Sequence, residues 1–279
     1  MSIKVSKASD KIGAEISGID LSKPIEPQTI SEIRQVFLDH CVIFFRDQTL
    51  TDADLMRVGR YFGELQPLPP HRQFPGMYPE LLVVEKKPED VINFGWEWHS
   101  DTSHLPIPSL GSILYALEVP KRGGDTLFAN QYIAYETLSN DIKEKINPLN
   151  AIHANGRIHN TLKNNRIPKR GEEVASAGYS DAWSTHPIVR THPETNKKAL
   201  YVNLTHTECI EGMSVEESQD LLHFLYEHST QDKFTCRFQW QKGSIAFWDN
   251  RCSQHAALND YPGEYRLMHR VQIRGTKPV

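Results

Sequence analysis

Ser244-Ile245-Ala246-Phe247-Trp248-Asp249-Asn250-Arg251-Cys252-Ser253-Gln254-His255 runs from an apolar core segment into a turn pair and ends on a histidine. The first five residues are short, apolar and aromatic, which predicts a buried strand. Asp249 and Asn250 follow as turn formers. The same texture recurs at Leu81 to Val84, Ile113 to Leu117, Thr126 to Ala129, Ile188 to Thr191, Ala199 to Val202, Phe234 to Trp240 and Leu267 to Ile273. Many short strands divided by proline, glycine and asparagine predict a sandwich or barrel.

Helices flank this β-rich body. Ile30, Ile33, Val36 and Phe37 have helical spacing within Thr29 to His40, and Val42 to Phe45 follows as a buried strand. Thr51 and Asp54 form a capping-box pattern opening a helix through Tyr61, which Gly63 stops. One helix is expected over Ile133 to Ile146. Another follows the capping box of Ser214 and Glu217, with an apolar face of Leu221, Leu222, Leu225 and Tyr226. The polar, glycine-bearing stretch 157–182 reads as a loop or lid inserted into a single domain spanning 1–279.

The bulk properties narrow the function classes. The 279 residues carry a net charge of −4, with 39% hydrophobic and 24% charged residues. That balance gives no basic field for nucleic acid or an anionic membrane, so an anionic ligand would need local arginines. No segment reaches the roughly 18 apolar residues of a membrane span, and the N-terminus lacks a secretory apolar core. Cytoplasm is the default expectation. Cys41, Cys209, Cys236 and Cys252 form no C-x-x-C pair; Cys41 and Cys236 read as small core residues. Edge strands and surface helices are compatible with a homo-oligomer, a dimer or tetramer.

The residues with most chemistry are Trp98-His99-Ser100-Asp101. On a strand, positions i and i+2 share a side, so His99 and Asp101 could present an imidazole and a carboxylate to one metal, with His255 as a third donor. Two histidines and one carboxylate on one octahedral face leave three open positions, which suits non-haem Fe(II). The spacing alone is weak among 13 histidines. A hydrogen-bonded surface pair satisfies it equally, and His206-Thr207-Glu208 offers the same donors two residues apart.

Further stretches carry a resemblance. They are Gly13 to Leu21, Phe44-Phe45-Arg46-Asp47-Gln48, Phe62-Gly63-Glu64-Leu65, Trp98 to Asp101, Gly123-Gly124-Asp125-Thr126, His186 to Pro193, Trp248 to Arg251, His255 and Arg266-Leu267-Met268-His269-Arg270. In this order the chain resembles the taurine/2-oxoglutarate dioxygenase (TauD/TfdA) family over nearly its whole length. The resemblance implies a mainly β chain with flanking helices, a double-stranded β-helix or cupin-like jelly roll. It implies His99, Asp101 and His255 as Fe(II) ligands, and 2-oxoglutarate and O2 as cosubstrates. It implies Arg266 and Thr126 as partners of the distal carboxylate, since guanidinium binds carboxylate bidentately. Arg270 shares the strand face of Arg266 and is implied near the C1 carboxylate or the anionic end of substrate. A carboxylate at Asp101 implies hydroxylation, because related halogenases place a small residue there.

The pocket positions depart from the taurine enzymes. Leu68 falls where a sulfonate-binding histidine is expected, with His71 near an aromatic position. Gly95 falls where an asparagine is expected, with Asn93 close by. His159 and His206 fall at aromatic positions. The run Ile210-Glu211-Gly212-Met213 resembles the aryloxyalkanoate dioxygenases. The expected substrate is therefore a small organic anion, hydroxylated next to a heteroatom, with succinate and CO2 as coproducts. Simpler roles stand beside these: Arg266 and Arg270 as edge-strand charges, Thr126 as a strand residue, Trp248 as core packing against the metal site, Gly123-Gly124 as a turn. Two other functions fit the same donors. One is a non-catalytic jelly-roll protein that binds metal or ligand, and the other is a zinc hydrolase using the same triad.

Overall fold

A computed structural model describes residues 3–73, 75–155 and 182–279. The expected lid at 157–182 lies outside the described residues except for Ala182, and His159 lies outside them too. In chain order the elements begin with β1 (Lys4–Lys7), β2 (Ala14–Ser17), α1 (Pro27–His40), β3 (Val42–Phe45), α2 (Asp52–Arg60), β4 (Leu82–Lys86) and β5 (Ser109–Glu118). There follow β6 (Thr126–Asn130), α3 (Gln131–Glu136), α4 (Asn140–Ile146), β7 (Asn150–Ala154), β8 (Trp183–Pro187), β9 (Val189–Thr191), β10 (Lys198–Leu200) and β11 (Thr207–Ile210). The last are α5 (Val215–Ser229), β12 (Thr235–Phe238), β13 (Ile245–Asp249), β14 (Ser253–Ala257) and β15 (Arg266–Arg274).

The main sheet runs β1-β2-β3-β13-β5-β15-β4. Alternation along its strands sends side chains to two different cores. Ile43, Phe45, Ile113, Ile245, Phe247, Val271 and Ile273 point outward, where α1 and α2 cover them. Phe37 of α1 stacks on Phe247 at 4.0 Å. Pro27 starts α1 in its first turn, where no amide donor is needed. The Thr51 and Asp54 capping box opens α2 as its sequence predicts.

Val42, Phe44, Leu114, Ala246, Trp248 and Met268 point the other way, onto a smaller sheet ordered β12-β6-β14. Phe44 stacks on Phe238 of β12 at 4.0 Å, and Phe128 of β6 meets Trp248 at 5.8 Å. These two facing sheets with helices outside are the expected jelly roll, and its inner layer is where the chemistry-bearing side chains lie. A third sheet, β11-β7-β8, and the β9-β10 pair pack with α3 and α5 at one side.

Two sequence readings change. The single helix expected over Ile133 to Ile146 is two, α3 and α4. The Thr137 hydroxyl turns back to donate to the Ile133 carbonyl at 2.8 Å, and Ser139 caps α4 by accepting from the Ile142 amide. Local hydroxyl bonding here wins over apolar spacing. Strands β7, β8, β11 and β14 were not expected, because polar side chains such as His153, Ser184, His186 and Gln254 fill them yet are buried.

Candidate active site

The site starts from a backbone contact. His99 and His255 face each other in an antiparallel bridge and exchange both hydrogen bonds: His99 N–H to His255 O at 3.1 Å and His255 N–H to His99 O at 2.9 Å. Directly opposed residues put their side chains on one face. The two imidazole centroids are 4.1 Å apart as a result. Asp101 arrives two residues later, its Oδ1 3.8 Å from His99 Nε2 and its Oδ2 3.9 Å from His255 Nε2. One donor atom from each of the three residues lies within 4.8 Å of the others, and each residue is at most 6% exposed. Among the described residues His206 and Glu208 form no such cluster.

Protonation suits a cation. His99 Nδ1–H donates to the Glu97 carbonyl at 2.7 Å, leaving the Nε2 lone pair directed at the cluster. Burial pushes the His99 and His255 imidazoles down, so both are neutral near pH 7. Burial alone would raise the Asp101 carboxyl. Arg270 leads the groups that outweigh it, with the Ser112 hydroxyl among them, and the carboxyl lies below the ordinary carboxylate range. Two neutral imidazoles and one carboxylate, buried and mutually close, are the donor set of a facial-triad iron site.

Asp101 is held from several sides. Ser112 Oγ donates to Oδ2 at 2.6 Å, and Arg270 Nη1 donates to Oδ1 at 2.9 Å. Its backbone amide donates to Asn250 Oδ1 at 3.1 Å. Asn250 in turn accepts from Trp248 Nε1 at 3.0 Å and donates to Ser112 Oγ at 3.2 Å. Trp248 also packs on His255 with centroids 4.6 Å apart, as expected of a core residue against the site. Gly95 has φ +75°, and a Cβ there would meet His99 Cε1 at 3.1 Å. Glycine keeps that approach open.

Behind the triad is an inner cavity lined by Thr126, Trp248, His255, Arg266 and Arg270. Arg266, Met268, Arg270 and Gln272 alternate inward along β15, so the two arginines share a face as the sequence predicts. Arg266 is 3% exposed, and its Nε and Nη2 have no hydrogen-bond partner. Burial pushes its guanidinium down. A buried cation without an acceptor is costly, so this one fits an anionic ligand in the cavity. Thr126 Oγ1 accepts from Trp240 Nε1 at 2.9 Å, which leaves its own hydroxyl proton available. The residues present therefore fit both a divalent metal and a dicarboxylate behind it.

An outer cavity of about 230 Å³ opens in front of the triad. Leu68 and His206 line it as expected, with Phe94, Trp96 and Arg270. Two expected pocket residues do not. His71 is exposed and lines neither cavity; its neighbour Arg72 lines the outer one, because the short helical turn Pro70–Arg72 places it there. Asn93 is buried but donates to the Ala257 and Leu258 carbonyls at 3.3 and 3.1 Å, so it fastens the end of β14. The sequence reading missed Arg72, His104, Ser112 and Asn250. Ser112, a fully buried hydroxyl on an inward position of an apolar strand, was the one with a visible signal.

Asp249 is more than the turn former expected. Arg251 grips it with Nε to Oδ1 at 2.8 Å and Nη2 to Oδ2 at 2.6 Å, and His192 Nε2 lies 3.1 Å from Oδ2. Arg251 also donates to Glu194 at 2.6 Å. His192, Asp249 and Cys252 could by spacing hold a metal. The guanidinium already occupies that carboxylate, so the cluster is an internal ion-pair network.

The paired sheets, facial donor set and buried cation define the class of 2-oxoglutarate-dependent dioxygenases, which act with Fe(II), 2-oxoglutarate and O2. Residues 4–272 match the family described as taurine catabolism dioxygenase TauD, TfdA family, and the chain belongs to that family. An alkylsulfatase of Acinetobacter baylyi is 34% identical, covering 98% of this chain and 85% of the relative. An alpha-ketoglutarate-dependent sulfate ester dioxygenase of Pseudomonas putida is 33% identical, covering 100% and 92%. The crystal structure of a taurine dioxygenase from Burkholderia xenovorans superposes with TM-score 0.84 at 33% identity, covering 100% and 93%. Among the described residues no helix is long and apolar enough to cross a membrane.

Proposed function

We propose that His99, Asp101 and His255 hold Fe(II), that Arg266 and Thr126 take the distal carboxylate of 2-oxoglutarate, and that the outer cavity takes a small organic anion hydroxylated next to its heteroatom. The observation that carries this reading is the pairing of the convergent triad with an unpartnered, buried Arg266 guanidinium behind it. Bound iron, with 2-oxoglutarate and O2, supplies oxidation of a C–H bond while the cosubstrate leaves as succinate and CO2. The chain's residues do the rest. Asp101 stays ionised beside Arg270. Ser112 and Asn250 fix its orientation. Phe94 and Trp96 give the outer cavity half-exposed apolar wall.

Substrate class follows from the cavity. Arg72 and Arg270 supply cationic groups, and Leu68, Leu82, Phe94 and Trp96 supply apolar wall. That combination suits an anion with an apolar body, such as a sulfate ester or sulfonate. Aryloxyalkanoates are the second class, since a (S)-phenoxypropionate dioxygenase is also similar at 28% identity. Neutral Leu68 in place of a histidine argues against taurine itself. The four free, buried cysteines fit a reducing, cytoplasmic setting, and a dimer or tetramer fits the exposed sheet edge at β1.

The test is anaerobic titration of the Fe(II)·2-oxoglutarate protein with sulfate esters, sulfonates, aryloxyacids and phosphonates, followed by succinate assays. A change in the visible charge-transfer band identifies the class that enters, and His99→Ala should lose metal binding and succinate formation. Retained turnover in that variant refutes the ligand assignment. Metal binding without succinate from any substrate supports a binding protein, and failure to bind 2-oxoglutarate supports a hydrolase.

A further inference from the structure

We propose that Lys86 is a second cationic partner for the distal carboxylate of the dicarboxylic cosubstrate, acting beside Arg266; this rests on the reading of the inner cavity given above. β4 and β15 are antiparallel, and Lys86 is the register partner of Arg266. Directly opposed side chains share a face, with Cβ atoms about 4.5–5.5 Å apart. Both residues turn into the sandwich, and each is 3% exposed. Val84, two residues earlier on the same inward stripe, lines the inner cavity with Arg266 and Thr126. Lys86 thus stands next along the strand from the lining, beside the cation already placed there.

Neither charge is compensated. Lys86 Nζ has no hydrogen-bond partner, nor have Arg266 Nε and Nη2. Among the described residues no carboxylate forms an ion pair with either. Glu85, the adjacent acid on β4, turns outward and accepts from Tyr265 at 2.8 Å. The Lys86 ammonium lies 4.7 Å from the centre of the Tyr261 ring, and Tyr261 is also a neighbour of Arg266. An aromatic face attracts a cation but supplies no acceptor in the plane of an N–H bond.

Each of these two cations loses its hydration in the core. One anion placed against both supplies the acceptors they lack. A carboxylate has about four lone-pair sites. A guanidinium fork engages two of them, which leaves room for an ammonium. The pair therefore suits a ligand that ends in a carboxylate and reaches the metal with its other end. A 2-oxo acid without that second carboxylate leaves both cations bare.

The experiment titrates Mn(II)-loaded protein, without O2, with 2-oxoglutarate and with 2-oxopentanoate, which keeps the chelating end but lacks the distal carboxylate. Lys86→Met removes the charge and keeps the apolar stem; Lys86→Gln is the alternative if that variant does not fold. The expected result is a Kd for 2-oxoglutarate raised roughly 10- to 100-fold, with 2-oxopentanoate unchanged. Equal loss for both ligands marks a structural role and overturns the proposal, as does no loss for either. Arg266→Met separates the two readings. If it preserves the preference for 2-oxoglutarate, the cavity assignment itself fails. If it abolishes that preference while Lys86→Met leaves it intact, only the role of Lys86 fails. A crystal structure of the unsubstituted protein with Mn(II) and N-oxalylglycine needs no variant. It should place Lys86 Nζ within about 3.5 Å of the distal carboxylate, and an ammonium bonded only to water would refute the assignment.

Discussion

Ser112→Ala should weaken metal binding by one to two orders of magnitude without touching a metal ligand. The Ser112 hydroxyl donates to Asp101 Oδ2 at 2.6 Å, a short bond to a charged acceptor. It also accepts from Asn250 Nδ2 at 3.2 Å, and the residue is fully buried. Removing it leaves Arg270 as the remaining side-chain donor to the carboxylate and strands an amide N–H of Asn250 in the core. Hydrogen bonds to charged groups contribute roughly 1.5–3 kcal/mol. Losing an outer partner of a metal ligand commonly costs about 10–100-fold in affinity, or roughly 1.4–2.7 kcal/mol. The two ranges overlap, so a rise of about 30-fold in the Mn(II) Kd is the central expectation. Calorimetric titration of wild type and variant with Mn(II) measures this, and urea unfolding of both metal-free proteins reports the stability lost. A Kd within twofold of wild type, in a variant that folds normally, would refute the idea that Ser112 holds Asp101 in its ligating pose.

Other expectations follow from the same geometry. Arg251→Met breaks the ion pair of the buried Asp249 carboxylate, leaving it His192 and the residue-251 amide, and should cost about 3 kcal/mol in urea unfolding, since breaking a buried ion pair is far more damaging than omitting it; a loss under 1 kcal/mol would contradict this. Burial, aided by Arg72, pushes His104 down to about 4, and burial pushes His186 down to about 3, both from 6.5. The unfolded chain therefore binds these protons first, and stability is complete above pH 6.5 and falls as pH drops toward 4. His104 alone should contribute a loss of roughly 3 kcal/mol across that window. Urea midpoints of the metal-free protein from pH 7 to pH 4 check this, and a flat profile would contradict it. Arg72→Met should raise KM for a sulfate ester roughly tenfold with kcat little changed, read from initial rates of succinate formation; an unchanged KM removes Arg72 from substrate binding.

The apolar strands and helix caps were legible because their signals are local. Ile245 to Trp248 alternate cleanly between two cores, and the Thr51 and Ser214 boxes sit where their helices begin. The triad was legible only through its ordered companions, since an imidazole and a carboxylate two apart occur by chance. Strands such as β14 escaped because a buried Ser-Gln-His run has no apolar period to read; its polar groups are satisfied by distant partners, as when Gln254 donates to the Val202 carbonyl. Arg72 and His71 are adjacent, and which one faces the cavity depends on a single short helical turn. Asn250 and Lys86 matter through distant partners, Asn250 through Ser112, 138 residues away, and Lys86 across a strand pair to Arg266, and no window of sequence holds both members of either pair.

The two histidines of the triad are joined through their main chains before their rings do anything. The peptide groups, not the imidazoles, tie the segment around residue 99 to the segment around residue 255. Where a ligand stands is thus fixed independently of what it is. On the proposed ligand assignment, a substitution at either position changes the donor set while the backbone joint that carries it stays closed.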